Sequence, residues 1–552
     1  MTDSNIAGIA EADFGKAGVL FDNDRPILVD SSDFLFYAAL AMLPIDGTVA
    51  GPYMPFWTPL SPWLFMAYAV ANWRLLPQVW HRFRAFFLFP VLLITLSAVD
   101  WCLVAFHRLP ALVSLAGVAG ALACLCALDM ALRIKRLSWR RMLDLLILVY
   151  WFAFAVGVVQ RLSIMFDWTS VKNFFIHLMS RQYISSTSHW GGGRPQFLFA
   201  EPSYIGMHLF GVLLPLIWLV RGRDHKRANQ LRVLIMVFAA GSVLMGAGVR
   251  IILDSIIALV FVIIESADWK SWRGRLLALA ELVAAVGAGT GSMLLNHRLS
   301  SIAELGFDGD GSFYARLWQS MGPLVGAAKH PLRLLLGYGA GNLSDATHQG
   351  ANAAVHVLQR FGLDASQPIR WYTQVTSANM FTMSAYTSFI VEFGAAACVI
   401  LLISVLRHIT SRHAWRKTIV CWLILVSYLY VQFEGYAFYT LPLLVWATRC
   451  IQSTNAFLRG ISAHEYEPGG CGRKVGRLGV RIGVRMFSME DRRRAVDLYF
   501  TEGMTIRKVI AELGYPSEGA LVKWVREDPR YTGACRRSYT LEARLGPCAC
   551  SR

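Results

Sequence analysis

The stretch WGGGRPQFLFAEPSYIGMHLFGVLLPLIWLV, residues 190–220, changes character near its middle. It begins as a glycine-rich loop that carries Arg194 and ends as an apolar run of the kind that enters a bilayer. Glu201 lies where the two parts meet, and Pro202 after it suits the first turn of a helix. Because a carboxylate at the mouth of a membrane helix is costly, we predict a functional site at this junction, with Tyr204 beside it.

The rest of the chain has the composition of a membrane protein. Of its 552 residues, 55% are hydrophobic, 16% are charged and 18 are tryptophan, well outside the averages of soluble proteins. Apolar runs of about twenty residues recur up to residue 451. We therefore predict an all-α, polytopic membrane protein. The polar first 30 residues lack the basic segment and cleavage site of a removable signal peptide.

Twelve transmembrane helices are predicted within a domain at 32–451, which a cytoplasmic segment at 1–31 precedes. The predicted spans are 32–46, 59–74, 86–106, 110–132, 142–161, 201–220, 231–248, 250–266, 276–295, 384–406, 418–432 and 436–451.

Lysine and arginine in the short loops predict the orientation of these spans. One set of alternate loops holds 20 of these residues, whereas the opposing set holds only Arg108 and Arg250. Because basic loops stay in the cytoplasm, both termini are predicted to be cytoplasmic. Two long loops, 162–200 and 296–383, then face outward, and the second is long enough to form helices of its own. All ten cysteines fall in spans or in the C-terminal tail, so no disulfide framework is expected.

Arginines near the outward surface are candidates for binding an anion. Arg194 either serves such a site or forms a local ion pair with Glu201. Arg250 separates two apolar segments of minimal length, and it either pairs with Asp254 one helical turn later or faces a polar cavity. Arg316 lies among aromatic residues, and its planar, permanently charged group suits pyrophosphate.

Weaker candidates lie in the second outward loop. Arg298 and Arg333 are further guanidinium groups of the same kind. The glycine-rich piece LLGYGAGN, residues 335–342, contains Tyr338. It either exposes backbone N–H groups to an anion or a sugar, or is a flexible turn. The histidines lack metal-ligand spacing, and phosphate-loop and dinucleotide motifs are missing from the sequence, so no metal or cofactor is expected.

Four stretches carry a family resemblance through their order and placement. They are RPQFLFAEPSY (194–204), GAGVR (246–250), FYARLWQ followed by PLRLLLGYGAG (313–341), and SAYTSFIVEFGAAACVILLISVLR (384–407). Together they resemble the Wzy-type O-antigen and capsular polysaccharide polymerases of the O-antigen ligase superfamily, over about residues 30–450.

The resemblance implies a metal-independent membrane glycosyltransferase in the plasma (inner) membrane. Such enzymes join repeat units carried on undecaprenyl pyrophosphate, and fixed guanidinium groups would stabilise the departing pyrophosphate. Arg194, Arg250 and Arg316 would form that clamp, while Glu201 would either accept the hydroxyl proton, aided by a raised pKa, or hold an arginine in place. The implied substrate-binding residues are Tyr204, Arg298, Arg333 and Tyr338. Besides the lipid-linked glycans and the bilayer, a flippase and a chain-length regulator are expected partners.

Two alternatives to a polymerase stay open. Ligases of the superfamily carry a His-Asn pair before the last motif, whereas this chain has Ser384, Ala385 and Tyr386, which favours a polymerase and leaves the general base unassigned. Twelve spans with cytoplasmic termini also describe many transporters, including a flippase for lipid-linked oligosaccharides. The two halves show no repeat, which argues against a transporter.

The C-terminal part differs in composition from the membrane domain. Residues 452–484, rich in glycine and arginine, are predicted to be a linker. Helix start signals and apolar spacing predict three short helices in 485–530, which resemble the helix-turn-helix of insertion-sequence transposases. The resemblance implies that Lys523 and Arg526 contact DNA, whereas a helical domain with solvated arginines is the alternative. We expect that a mobile element inserted into a membrane-protein gene, with 531–552 as a disordered tail.

Overall fold

The structure is a computed structural model, and its regular elements are helices throughout the described part of the chain. That part comprises residues 30–51, 59–185, 192–248, 250–295, 311–431, 439–448, 489–513 and 518–531. The chain divides into two compact units, Met1–Tyr466 and Glu467–Arg552. This boundary falls within the predicted linker 452–484, whose residues lie outside the described part, as do 532–552 of the predicted tail.

Helices form most of the described part of the first unit up to residue 431. They are α1 Asp33–Ala41, α2 Ser61–Ala71, α3 Leu76–Leu103, α4 Arg108–Leu128, α5 Trp139–Met165, α6 Thr169–Leu178, α7 Pro202–Val220, α8 His225–Leu244, α9 Arg250–Ser266, α10 Trp272–Leu295, α11 Gly311–Ala328, α12 Pro331–Leu336, α13 Leu343–Arg360, α14 Ser366–Gln374, α15 Ala385–Ser411 and α16 Lys417–Val431.

Five helices of the described chain are long and apolar enough to cross a membrane. They are Trp73–Leu103, Arg108–Ile134, Trp139–Met165, Pro202–Val220 and Ala385–Ser411. The predicted all-helical class is thus confirmed for the described residues, and the five apolar helices support the prediction of a membrane protein. The number of twelve spans and the orientation of the termini stay predictions, because several predicted spans correspond to shorter helices, such as α2 with 11 residues and α16 with 15.

Helix α7, the apolar half of the opening stretch, lies inside the protein rather than at its lipid-facing surface. Its most apolar window is 94% buried, against 22 to 50% for the other four candidate spans. A helix that is apolar on all sides is expected to be covered by other helices, and α7 packs against α8, α9 and α16. Trp218 of α7 meets Trp422 of α16 edge to face, with ring centroids 6.4 Å apart.

The backbone of α7 is irregular along its length. A 3-10 turn at Pro202–Tyr204 is followed by α-helix at Ile205–His208, a π-helical turn at Leu209–Leu213 and α-helix at Leu214–Val220. Single π-helical turns are frequent at functional sites. The irregularity begins next to Glu201, so the polar residue and the departure from regular helix coincide.

The second predicted outward loop contains helices of its own, α11 to α14. Helices α11 and α13 approach each other through glycines: a Cβ on Gly326 would come within 1.8 Å of the Ala346 carbonyl oxygen, and one on Gly350 within 2.0 Å of the Gly322 oxygen. Around this contact lies a small core that includes Tyr314, Trp318, Ala354, Leu358 and Tyr372. Residues 296–310 lie outside the described part.

The second unit contains three short helices: α17 Met489–Phe500, α18 Ile506–Leu513 and α19 Glu518–Glu527. They start within about two residues of the predicted positions. Ala495, Val509, Leu521 and Val525 are fully buried between them. Three helices around a small core agree with the predicted elements, whereas the helix-turn-helix assignment and DNA binding stay predictions.

Candidate functional site

Glu201 lies between two guanidinium groups that come from distant parts of the chain. Its Oε2 is 3.0 Å from Nη1 of Arg181, and its Oε1 is 3.5 Å from Nη2 of Arg316. The side chains of Arg181 and Glu201 are 7% and 10% exposed, whereas that of Arg316 is 20% exposed. Arg316 is therefore the most accessible of the three groups.

A second ion pair adjoins the first. Arg250, at the start of α9, lies with Nε 3.3 Å from Oδ2 of Asp254, and the Tyr428 hydroxyl donates to Oδ1 of the same carboxylate at 2.7 Å. This is the pairing one helical turn apart that the sequence offered as one alternative for Arg250. Both side chains are buried within the protein, and the alternative of a polar cavity facing Arg250 stays a prediction. We call Arg181, Arg250, Arg316, Glu201 and Asp254 the arginine cluster.

Helix α7 packs against this second ion pair at a glycine, Gly206. A Cβ built on Gly206 would lie 2.1 Å from Oδ2 of Asp254. No side chain fits there without displacing the carboxylate, so α9 and α7 approach closely only because residue 206 is glycine. The sequence Glu-Pro-Ser-Tyr-Ile-Gly thus places Glu201 and the contact to Asp254 on one short segment.

A short loop near the N-terminus holds Arg181 and Glu201 together. The N–H of Ser180 donates to the Gly47 carbonyl oxygen at 2.9 Å, and the N–H of Ala200 donates to Oδ1 of Asp46 at 2.9 Å. Residues 46 and 47 therefore bridge the backbone on both sides of the ion pair. A Cβ on Gly47 would come within 2.3 Å of the Ala200 nitrogen, which explains the glycine at that position.

The charges around Glu201 decide its protonation. Burial acts to raise the pKa of this carboxyl. The guanidinium groups of Arg181 and Arg316, with smaller contributions from the Ser203 hydroxyl and Arg250, outweigh burial and hold the pKa below its usual value. The sequence left two roles open for Glu201. A lowered pKa makes a weak proton acceptor, so the geometry favours the role of holding arginines and leaves the general base unassigned.

Arg194 lies beside the cluster on an aromatic ring. Its guanidinium carbon is 5.0 Å from the ring centroid of Tyr183, and its N–H donates to the Tyr183 carbonyl oxygen at 3.2 Å. Arg181 forms the ion pair with Glu201 that the sequence analysis suggested for Arg194. Tyr204 is 1% exposed and lies close enough to Arg316 to act on its charge. The structure therefore groups Glu201, Arg250, Arg316 and Tyr204, with Arg194 at the edge.

Arg333 and Tyr338 belong to a different group. Arg333 forms an ion pair with Asp100 of α3, and its guanidinium carbon lies 5.7 Å from the ring centroid of Tyr338. Tyr338 is 1% exposed, and its hydroxyl is 2.7 Å from Oε1 of Gln349. The substrate contacts of Arg333 and Tyr338 stay predictions. Arg298 lies outside the described residues.

The glycine-rich piece at 335–342 is docked against two helices. The N–H groups of Tyr338 and Gly339 donate to the carbonyl oxygens of Val391 and Glu392, each at 2.8 Å. The N–H of Ala340 donates to Ser97 Oγ at 3.1 Å, and that of Gly341 to Glu392 Oε1 at 2.9 Å. These donors bind the protein itself, which is contrary to a backbone anion site at these N–H groups, and the flexible-turn alternative stays untested. Carboxylates and carbonyls far along the chain take the place that the sequence offered to an anion.

In the second unit, both predicted DNA contacts lie on the exposed face of α19. The Lys523 side chain is 75% exposed, with Nζ 3.9 Å from Oε1 of Glu527 one helical turn away, and Arg526 is exposed as well. This placement is compatible with either alternative for the unit, because solvated charges and DNA contacts both need exposure.

Sequence reasoning missed Arg181 and the Tyr428 hydroxyl that donates to Asp254. Arg181 lies in RQYISSTSHW, which carries no motif. Its only signal is that of a basic residue in a predicted outward loop, 20 residues before Glu201. Tyr428 lies 174 residues from Asp254, a separation that spacing cannot reveal. Comparisons of the chain with protein families, curated proteins and solved structures gave no match. The chain is defined by its fold and composition as a helical membrane protein, with a buried arginine cluster at the start of α7.

Proposed function

We propose that this protein is a membrane polysaccharide polymerase. It would join oligosaccharide repeat units carried on undecaprenyl pyrophosphate at the outer face of the plasma membrane, with both of its termini in the cytoplasm. The arginine cluster is the main support, because it gathers three guanidinium groups and two carboxylates at the start of a buried helix. The excess positive charge suits a substrate that carries a diphosphate.

The chemistry needs stabilisation of a leaving group more than it needs a metal. A hydroxyl oxygen of the incoming unit would form a bond to the anomeric carbon of the growing chain while the bond to the pyrophosphate oxygen breaks. That oxygen departs with the electron pair, so negative charge develops where a fixed guanidinium group lies. Arg316 is the most exposed of the three arginines and would contact the diphosphate. Arg181 and Arg250 would add positive electrostatic potential from more buried positions.

Glu201 would serve as the fixed counter-charge that orients Arg181 and Arg316. A carboxylate with a lowered pKa keeps its charge through the reaction, so the two guanidinium groups stay in place when the leaving group departs. The proton released by the attacking hydroxyl requires another acceptor, which the cluster does not identify.

Deleting the gene in its native host tests the proposal and separates the alternatives. A polymerase deletion should leave single repeat units on the carrier lipid at the outer face. Long unattached chains would instead indicate a ligase, and single units trapped at the cytoplasmic face would indicate a flippase. Unchanged surface polysaccharide would contradict the proposal.

Reporter fusions test the orientation. Alkaline phosphatase joined after Arg194 or after Arg316 should be active, because both positions are predicted to face outward and the enzyme works only outside the cytoplasm. A fusion after Arg227, in a predicted basic cytoplasmic loop, is the matched control and should be inactive. Active cytoplasmic reporters at residues 194 and 316 would place the cluster on the wrong side for outward polymerisation.

The second unit is proposed to be a DNA-binding remnant of a transposase, with no part in polymerisation. Full-length protein in detergent should bind double-stranded DNA at low salt, and a Lys523→Ala, Arg526→Ala double variant should bind about tenfold more weakly and with a smaller salt dependence. Arg459→Ala, in the predicted linker, is the control. Equal binding by wild type and double variant would remove the DNA role from α19.

A further inference from the structure

The segment that leads into Glu201 crosses the protein core without regular structure. Residues Gln196 to Ala200 lie between loop and helix, and each of them is buried. Buried backbone N–H and C=O groups need partners, and this segment supplies only some of them internally, such as the Phe199 N–H that donates to the Gln196 carbonyl oxygen at 3.2 Å. The side chains that provide those partners therefore decide where the segment lies.

Gln160, near the end of α5, holds this segment through three hydrogen bonds. The N–H groups of Gln196 and Phe197 donate to its Oε1 at 3.0 and 2.8 Å, and its Nε2 donates to the Phe197 carbonyl oxygen at 2.6 Å. Two donors on one side and an acceptor on the other fix the orientation of the amide. Gln160 is fully buried, so water cannot replace these contacts.

Phe197 has a backbone conformation that requires such restraint. Its φ is +59°, in the left-handed region that L-residues other than glycine seldom adopt. Its ring packs against Gly157, where an added Cβ would come within 2.0 Å of Cδ1 of the ring. Gly157 and Gln160 are three residues apart and share one face of α5. That face therefore receives both the ring and the peptide group of Phe197.

We propose that Gln160 is a positioning residue that keeps the Glu201 carboxylate between Arg181 and Arg316. Glu201 follows Phe197 by four positions, and Asp46 holds the end of the segment through the N–H of Ala200. Without the amide, Phe197 relaxes toward a negative φ and the segment rotates, which moves the carboxylate away from its two guanidinium partners.

The protonation of Glu201 reports this displacement directly. The charged groups that act on the carboxyl are Arg181, Arg316 and Arg250, and Tyr183 lies beside it. If the carboxylate leaves the guanidinium groups, its pKa rises whether it moves toward water or stays buried. This readout concerns geometry alone and does not depend on polymerase activity.

Infrared titration of the full-length protein in detergent provides the test. The protonated-carboxyl band of Glu201 is obtained by subtracting the spectrum of a Glu201→Gln partner in the same background. In Gln160→Met, which keeps the side-chain length, the protonation midpoint should rise by about one pH unit or more. Ser163→Ala is the matched control on the same helix, because its hydroxyl bonds only within α5 at 2.7 Å, and its midpoint should not move.

Two results would overturn the proposal. One is an unchanged midpoint in folded Gln160→Met, and the other is an equal rise in Ser163→Ala. Should Gln160→Met fail to fold, Gln160→Asn retains both polar atoms on a shorter stem that cannot reach Phe197. Its midpoint should also rise, and an unchanged midpoint there would likewise reject the positioning role.

Discussion

Replacing Arg316 with alanine is expected to reduce polymer formation by about 10²–10³-fold, the usual effect of removing one fixed donor that stabilises developing negative charge. Arg316 is the most exposed guanidinium of the arginine cluster, and its partner Glu201 is held from the other side by Arg181 at 3.0 Å. The variant should therefore keep its fold while losing the group nearest to the diphosphate. Glycan from cells that carry the variant, compared by chain length at equal protein amount, measures the effect.

Two further variants make this prediction specific. Arg316→Lys keeps the charge but loses the planar fork, so chains should stay much shorter than in wild type. Arg360→Ala removes an exposed arginine from the end of α13, in the same predicted outward loop, and should leave chain length unchanged. If Arg316→Ala made chains of normal length, the cluster could not be the site at which pyrophosphate departs.

Local features of the site were predictable because their partners lie close in sequence. The apolar run after Pro202 predicts a helix, and the polar residues before it mark where that helix begins. Arg250 and Asp254 are four residues apart, which is one helical turn, so their pairing was one of two stated alternatives. Many helix positions in the first unit were predictable for the same reason, because the hydrophobicity of an apolar segment is a local property of the sequence.

The remaining contacts depend on tertiary packing that no spacing encodes. Arg316 reaches Glu201 across 115 residues, and Arg181 has the same charge as other loop arginines that do not reach it. At the loop 335–342, the sequence suggested a site for an external ligand, whereas the folded protein itself accepts from the N–H groups of this loop. Its glycines correctly indicate exposed N–H groups in an isolated loop, but Glu392 and Ser97 accept from them in the folded protein. Position in sequence identifies the donors, and only the fold identifies the acceptors.

The contact between α7 and Asp254 leads to the second large prediction. Gly206→Ala places a methyl group 2.1 Å from Oδ2 and 2.8 Å from Cγ of Asp254. The carboxylate cannot withdraw freely, because Tyr428 donates to it at 2.7 Å and Arg250 lies 3.3 Å away. Overpacking of this kind costs about 1–3 kcal/mol, so thermal stability in detergent should fall. Activity should fall with it, since relief of the clash displaces the ion pair next to Glu201.

Gly287→Ala is the matched control for this substitution. Gly287 lies within α10 and an added Cβ there meets no atom within 4 Å, so the same chemical change should leave stability equal or raise it by about 0.5–1 kcal/mol through helix propensity. A fall equal to that of Gly206→Ala would show that loss of a glycine, rather than the contact with Asp254, is responsible.

A double-mutant cycle tests whether the destabilisation by Gly206→Ala arises from its contact with Asp254. Asp254→Ala alone should destabilise the protein, because Arg250 and Tyr428 then lose a buried carboxylate partner. In the double variant with Gly206→Ala the new methyl group has room, so the combined loss should be smaller than the sum of the single losses by about 1 kcal/mol or more. Additive losses would mean that α7 and α9 do not meet at this carboxylate. The packing that places Glu201 beside Arg250 would then be wrong, and with it the cluster on which diphosphate binding depends.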